Sequence, residues 1–153
     1  MYACDNGHTD VVQLILDNSE RNIDLNARND EGWTALLIAC YNGHKDVIQL
    51  LLDNSDRNID LNAKVIGGFT ALIFACTNGR KDIVQLLLGS KRNIDLNEFE
   101  FTAHGRGTAL TIAFHNGRTD IVKLLVQYSK TKGIDVSIGQ RCISKLERDE
   151  TFY

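Results

Sequence analysis

The chain has 153 residues, of which 43% are apolar and 24% charged, and its net charge is −3. That is enough for one globular domain with a sizeable core. The acidic balance argues against a basic nucleic-acid-binding face, and no apolar run nears the ~18 residues of a membrane span. Met1–Asp5 lacks a basic stretch leading into an apolar one, so no secretory leader is expected.

A repeat governs the chain from its first residues. Asn-Gly-His/Arg begins at Asn6, Asn42, Asn78 and Asn116, with spacings of 36, 36 and 38. Thr-Ala-Leu begins at Thr34, Thr70 and Thr108, and Asn-Ile-Asp-Leu-Asn at Asn22, Asn58 and Asn93. A decayed copy of the last motif is Gly133-Ile134-Asp135-Val136-Ser137. Met1–Cys4 aligns with Leu37–Cys40, so the first unit reads as truncated, the mark of a fragment or of an eroded gene. In the first complete unit Thr34 is an N-cap for a short apolar helix from Ala35 to Tyr41. Gly43 supplies the left-handed residue that closes it. Asp46 stands near the positive end of a second helix with the apolar body Val47–Leu52. The polar stretch Asp53–Asn58 leads out. The chain has no proline, so Gly, Asn and Asp must make its turns.

Helices of two to three turns are marginal alone, so the units must stack. The expected fold is an all-α solenoid of helix pairs joined by extended loops. Its divisions are a partial unit at 1–29, units at about 30–65, 66–103 and 104–137, and a tail or capping segment at 138–153. In the tail, Ile138, Cys142, Ile143 and Leu146 could form one helical stripe covering the last unit.

The pattern resembles the ankyrin repeat. The residues that carry the likeness in the first full unit are Gly32, Thr34, Leu36, Ala39, Gly43, His44, Val47, Leu50 and Leu51, followed by Asp60-Leu61-Asn62. The next unit matches from Gly68 to Leu87 and the fourth from Thr108 to Leu125. There are departures. Ala35, Ala71 and Ala109 replace the family's proline, and Leu37, Ile73 and Thr111 replace its histidine, which removes the hydrogen bonds usually made there. The long period looks like that of ankyrin arrays of amoeba-infecting giant viruses. The finger before Thr108 is three residues longer than its predecessors.

The resemblance implies a non-enzymatic module that binds a protein partner through finger tips and the exposed side of the first helices. For a viral array that partner could be a host protein. On the first finger and helix the candidates are Arg28, Asp30, Glu31, Trp33 and Tyr41. On the second they are Lys64, Ile66, Phe69 and Thr77, and on the lengthened third Phe99, Phe101 and His115. Aromatic and Arg side chains are typical anchors. Trp33 and Phe69 precede the same Thr-Ala-Leu motif, and each could equally pack on a neighbouring finger. The alternative is a truncated piece of a larger array with little function of its own. The family's Asp-x-Asn position, which can be hydroxylated, falls on Asn26, Asn62 and Asn97.

Other chemistry finds little support in the residues. Cys4, Cys40 and Cys76 share one slot and read as small core residues; neighbouring units stand about 10 Å apart, too far for disulfides. His8 and His44 sit at the inter-helix turn and read as structural. Gly105-Arg106-Gly107-Thr108 lacks the Gly-Lys-Ser/Thr of a phosphate loop. No catalytic residue, cofactor, metal, nucleic acid or membrane is expected, and the protein is read as a cytoplasmic monomer.

Overall fold

The computed structural model describes residues 1–18, 23–54, 58–102 and 105–136, without the side chains of 101, 102, 105 and 106. Four helix pairs follow one another: α1 (Tyr2–Asp5) with α2 (Thr9–Asp17), α3 (Ala35–Asn42) with α4 (Lys45–Asp53), α5 (Ala71–Thr77) with α6 (Lys81–Gly89), and α7 (Ala109–His115) with α8 (Thr119–Lys132). First helices touch in the order α1, α3, α5, α7, and second helices in the order α2, α4, α6, α8. The core runs between the two rows, where Leu37, Ile48, Leu51, Ile73, Ile83 and Leu125 are almost completely buried.

Local chemistry sets the helix ends. The hydroxyls of Thr34 and Thr70 accept from the Leu37 and Ile73 amides, each at 3.3 Å. At Thr108 the cap closes into a reciprocal box, because Thr111 Oγ1 also accepts from the Thr108 amide at 2.8 Å. Replacement of the family's histidine therefore has two outcomes. Leu37 and Ile73 turn the slot into buried core, while Thr111 regains hydrogen bonds there.

Gly43 and Gly79 adopt φ of +82° and +67°, which L side chains disfavour. At Gly43 a Cβ would also fall on the Arg80 guanidinium, which donates to the Asn42 carbonyl at 3.2 Å. Gly117 has the same φ of +67° with nothing within 4 Å. Gly43→Ala is therefore expected to cost about 1–2 kcal/mol and Gly117→Ala about 1 kcal/mol, the left-handed strain alone. Urea unfolding of both variants measures the difference; equal costs would mean that Arg80 moves away freely.

The Asn-Ile-Asp-Leu-Asn motif is an inter-unit staple. Asn26 donates through Nδ2 to the Asn58 carbonyl at 2.6 Å and accepts at Oδ1 from the Asp60 amide at 2.8 Å. Asn62 does the same with Asn93 (3.3 Å) and Asp95 (2.8 Å), and Asn97 reaches the Asp135 carbonyl at 3.2 Å. The preceding aspartates hold these asparagines in place: Asp24, Asp60 and Asp95 accept from the Asn26, Asn62 and Asn97 amides.

Two elements go beyond the repeat. The lengthened finger is a hairpin, β1 (Phe99–Thr102) antiparallel to β2 (Gly105–Thr108), with Phe99 opposite Thr108 and Thr102 opposite Gly105. Helix α8 runs to Lys132, further than its counterparts, because Tyr128–Lys132 contains neither the Asn-Ser that follows α2 and α4 nor the Gly-Ser at the end of α6, and the first glycine is Gly133 (φ +64°). The tail stripe of Ile138, Cys142, Ile143 and Leu146 lies outside the described residues.

Within the hairpin Glu100 is buried, and among the described residues its Oε2 has no hydrogen-bond partner. Loss of water raises its carboxyl pKa. A carboxyl with a raised folded-state pKa costs nothing below its unfolded value, near pH 4, and destabilises increasingly as pH rises through the folded value. Glu100→Gln is expected to melt higher than the parent at pH 8, with the two curves converging below about pH 4. A constant gap across that range in thermal melts would disprove the charge account.

Candidate functional site

The first two finger tips are closed turns, and each places an aromatic ring beside the first helices. In the first, Asn29 Oδ1 accepts from the Glu31 and Trp33 amides at 3.1 and 2.8 Å, and the Asn29 amide donates to the Trp33 carbonyl at 3.0 Å. In the second, the Val65 amide donates to the Phe69 carbonyl at 3.2 Å and the Gly68 amide to the Val65 carbonyl at 3.1 Å. The adjacent half-buried rings Trp33 and Phe69 share a third ring that the sequence reading passed over. Phe74, on α5, lies nearly parallel to Trp33 with centroids 5.3 Å apart, and to Phe69 at 5.1 Å. Tyr41 meets Trp33 and Phe74 edge-on at 5.5 and 5.4 Å. Phe74 fills the slot held by Ile38 and Ile112 in the flanking units. That change from aliphatic to aromatic was the available signal.

Several of the other candidates tie neighbouring elements together, and several are exposed. Arg28 donates to the Lys64 carbonyl at 3.1 Å, and Lys64 pairs with Glu98, so these two link successive fingers. Thr77 donates to the Ile73 carbonyl at 2.8 Å. Asp30 and Glu31 are exposed, as are Tyr41 (53%) and Ile66 (85%). Phe99 is half-buried, and Phe101 pairs with Arg106 by backbone while its side chain lies outside the described part. His115, exposed, contacts the Thr111 carbonyl through Nδ1 at 2.7 Å.

A depression of about 450 Å³ runs between the first finger and the first helices, with Tyr2, Trp33, Ile38 and Tyr41 on its walls and Asp5 and Glu31 at its rim. A larger furrow of about 590 Å³ lies on the second-helix row, between α4 and α6, and carries no aromatic ring. Among the described residues no group of three or more His, Cys, Asp or Glu could hold a metal ion.

The thiols of Cys4, Cys40 and Cys76 are free and buried. Burial raises all three pKa values, that of Cys76 to about 12 and that of Cys40 further, so none is a thiolate at neutral pH. His44 contacts the Asp5 carbonyl at 2.9 Å through Nε2, a contact between units.

Stacked helix pairs with projecting fingers raise the question of family. A model of the ankyrin repeat family, three copies long, matches residues 1–100 and again residues 58–140. The chain belongs to the ankyrin repeat family. Ankyrin repeats are generally protein–protein interaction modules and are typically not enzymes. No curated protein matches the chain. Among the described residues no helix of this ankyrin array is long and apolar enough to cross a membrane.

Proposed function

We propose that this ankyrin array captures a protein partner in the groove between its finger tips and first helices. The observation that carries the reading is the aromatic cluster with its exposed members. Trp33, Phe69 and Phe74 form a stacked floor, Tyr41 stands edge-on to it in solvent, and Ile66 is exposed on the turn of the second finger. Large side chains on a rigid base are what interface hot spots require. Asp5 and Glu31 at the rim favour a partner segment that places a basic residue next to an apolar one. The protein acts as a monomer in the cytoplasm, without cofactor, and, in keeping with its long repeat period, on a host protein.

The stacking on Phe74 decides which substitutions test this. Trp33 and Phe69 brace the fingers as well as line the groove, so their removal confounds binding with folding. Tyr41 and Ile66 do not have that difficulty. The double variant Tyr41→Ala, Ile66→Ala is expected to keep its melting temperature within about 5 °C, consistent with largely exposed side chains. Its capture of partner in a pull-down from host lysate should fall at least tenfold. Undiminished capture by the folded double variant would remove this face from consideration.

A further inference from the structure

We infer that the furrow between α4 and α6 is a second docking site, one that takes an acidic protein segment carrying an apolar residue. It lies on the second-helix row, apart from the groove of finger tips and first helices, and measures about 590 Å³. Equivalent segments of the repeat show what the scaffold needs and what one unit has changed. Residues 9–22 and 45–58 carry net charges of −2 and −1, whereas residues 81–93 and 119–133 each carry +2. The second-helix row thus changes sign midway, in a chain whose total is −3.

The sign changes at the furrow. Asp17 and Asp53 end α2 and α4, and Gly89 ends α6 in the same slot. Counted back from the Asn-Ile-Asp-Leu-Asn motif, Glu20 and Asp56 give way to Lys91, while the arginine before the motif is kept as Arg92. At the opposite end of the second helices charge cancels between units: Lys45 faces Asp82 at 4.0 Å and Lys81 faces Asp120 at 3.6 Å. Among the described residues neither Lys91 nor Arg92 has an ion-pair partner.

Loss of the aspartate also frees a donor. Gln13 and Gln49 donate through Nε2 to Asp17 and Asp53 at 2.6 and 2.7 Å. Gln85 is in their slot and exposed, and one turn on it meets Gly89 in place of a carboxylate. The space is open, since a Cβ at Gly89 would have nothing within 4 Å. Arg92 donates to the Asn54 carbonyl at 3.0 Å, which ties it to the α4 wall and leaves its other N–H groups for a ligand. Half-buried Leu52 and Leu86 give the furrow an apolar side, and Asp53, the one carboxylate among its described lining residues, is engaged by Gln49. A carboxylate side chain entering here meets Lys91, Arg92 and the Gln85 amide together, and an apolar neighbour covers Leu52 and Leu86. A nucleic-acid strand fits less well, because it needs a long track of phosphate contacts and the furrow sets two cations against an apolar wall.

Fluorescence anisotropy of a fluorescein-labelled peptide of repeated Glu-Glu-Leu tests the site. The parent should bind it, and should bind Lys-Lys-Leu and Glu-Glu-Ser counterparts at least tenfold more weakly. Gly89→Asp with Lys91→Glu restores the residues of the first linker, Asp17 and Glu20. Both positions are exposed, so the melting temperature should stay within about 5 °C of the parent while the Kd rises at least tenfold. Lys91→Gln alone should move the Kd in the same direction. Tyr41→Ala with Ile66→Ala, on the finger side, should leave it within about twofold. No binding by the parent, undiminished binding by the folded furrow variants, equal binding of Lys-Lys-Leu, or loss of binding in the groove variant overturns the proposal. So does tighter binding of a single-stranded oligodeoxynucleotide or of phosphatidylserine vesicles, since the two cations would then read phosphate.

Discussion

Phe74→Ala is expected to lower stability by about 3–5 kcal/mol, the usual cost of deleting a buried phenylalanine ring. For a chain of this size that is a fall in melting temperature of roughly 10 °C. The ring is 6% exposed and borders three other aromatic rings contributed by two fingers and α3. Its loss would open a cavity and also release the stacking of Trp33 and Phe69, each such pair contributing about 0.5–1.5 kcal/mol. Tyr41→Ala removes only edge contacts from a half-exposed side chain and should cost about 1 kcal/mol or less. Trp33 is the sole tryptophan, so its fluorescence reports on the cluster directly. In Phe74→Ala the emission of the folded protein should move to longer wavelength as water reaches the indole. Thermal melts followed by circular dichroism give the stability change. A loss below about 1.5 kcal/mol would mean that the two fingers are held by their ties, Arg28 to Lys64 and Lys64 to Glu98, and not by the ring.

The parts of the fold that were legible in the sequence are those set by local chemistry and repeated in phase. Thr34 and Thr70 cap helices because a hydroxyl three residues ahead of an amide can do little else there, and Gly43 is left-handed because the helix must end. The period alone forces stacking. Less legible were features that depend on what a neighbouring unit offers. Asn62 reads as a turn residue, yet its amide spans to Asn93 and Asp95 in the following unit. Phe74 reads as one more core residue of a buried helix, and only the neighbouring fingers turn it into the hub of the candidate site. The hairpin at Phe99–Thr108 and the extension of α8 occur where the period breaks, so no second copy was there to be compared. The same dependence on neighbours separates the candidate residues into two kinds. Arg28 and Lys64 carry the composition of an interface but are engaged with adjacent fingers, whereas Tyr41 and Ile66 are exposed.

Hydrogen exchange along the second-helix row should show the largest contrast in the molecule. The Val11–Leu16 amides are expected to exchange about 100-fold faster than those of Val47–Leu52 and Ile83–Leu88, a difference in opening free energy of about 2.8 kcal/mol. All three helices are nine residues long, with an aspartate in the first turn and four or more aliphatic residues in the body. Intrinsic propensity therefore cannot separate them. Packing can. Helix α2 has α1 and α4 as neighbours, and α1 is only four residues long, whereas α4 has the full-length α3 beside it and a second helix on each side, α2 and α6. In a stack whose stability is a sum of unit and nearest-neighbour terms, a unit with one missing joint opens before those with two. The joint α2 does make is substantial, since Val12 and Leu16 are buried and Asn42 and His44 bond to Asp5, so opening should remain local and leave α3 onward intact. Mass spectrometry of peptides spanning 9–17, 45–53 and 81–89 reads the contrast in one experiment. Equal exchange in the three would mean that the array opens as a single cooperative block, with the joints between units stronger than any difference between its ends.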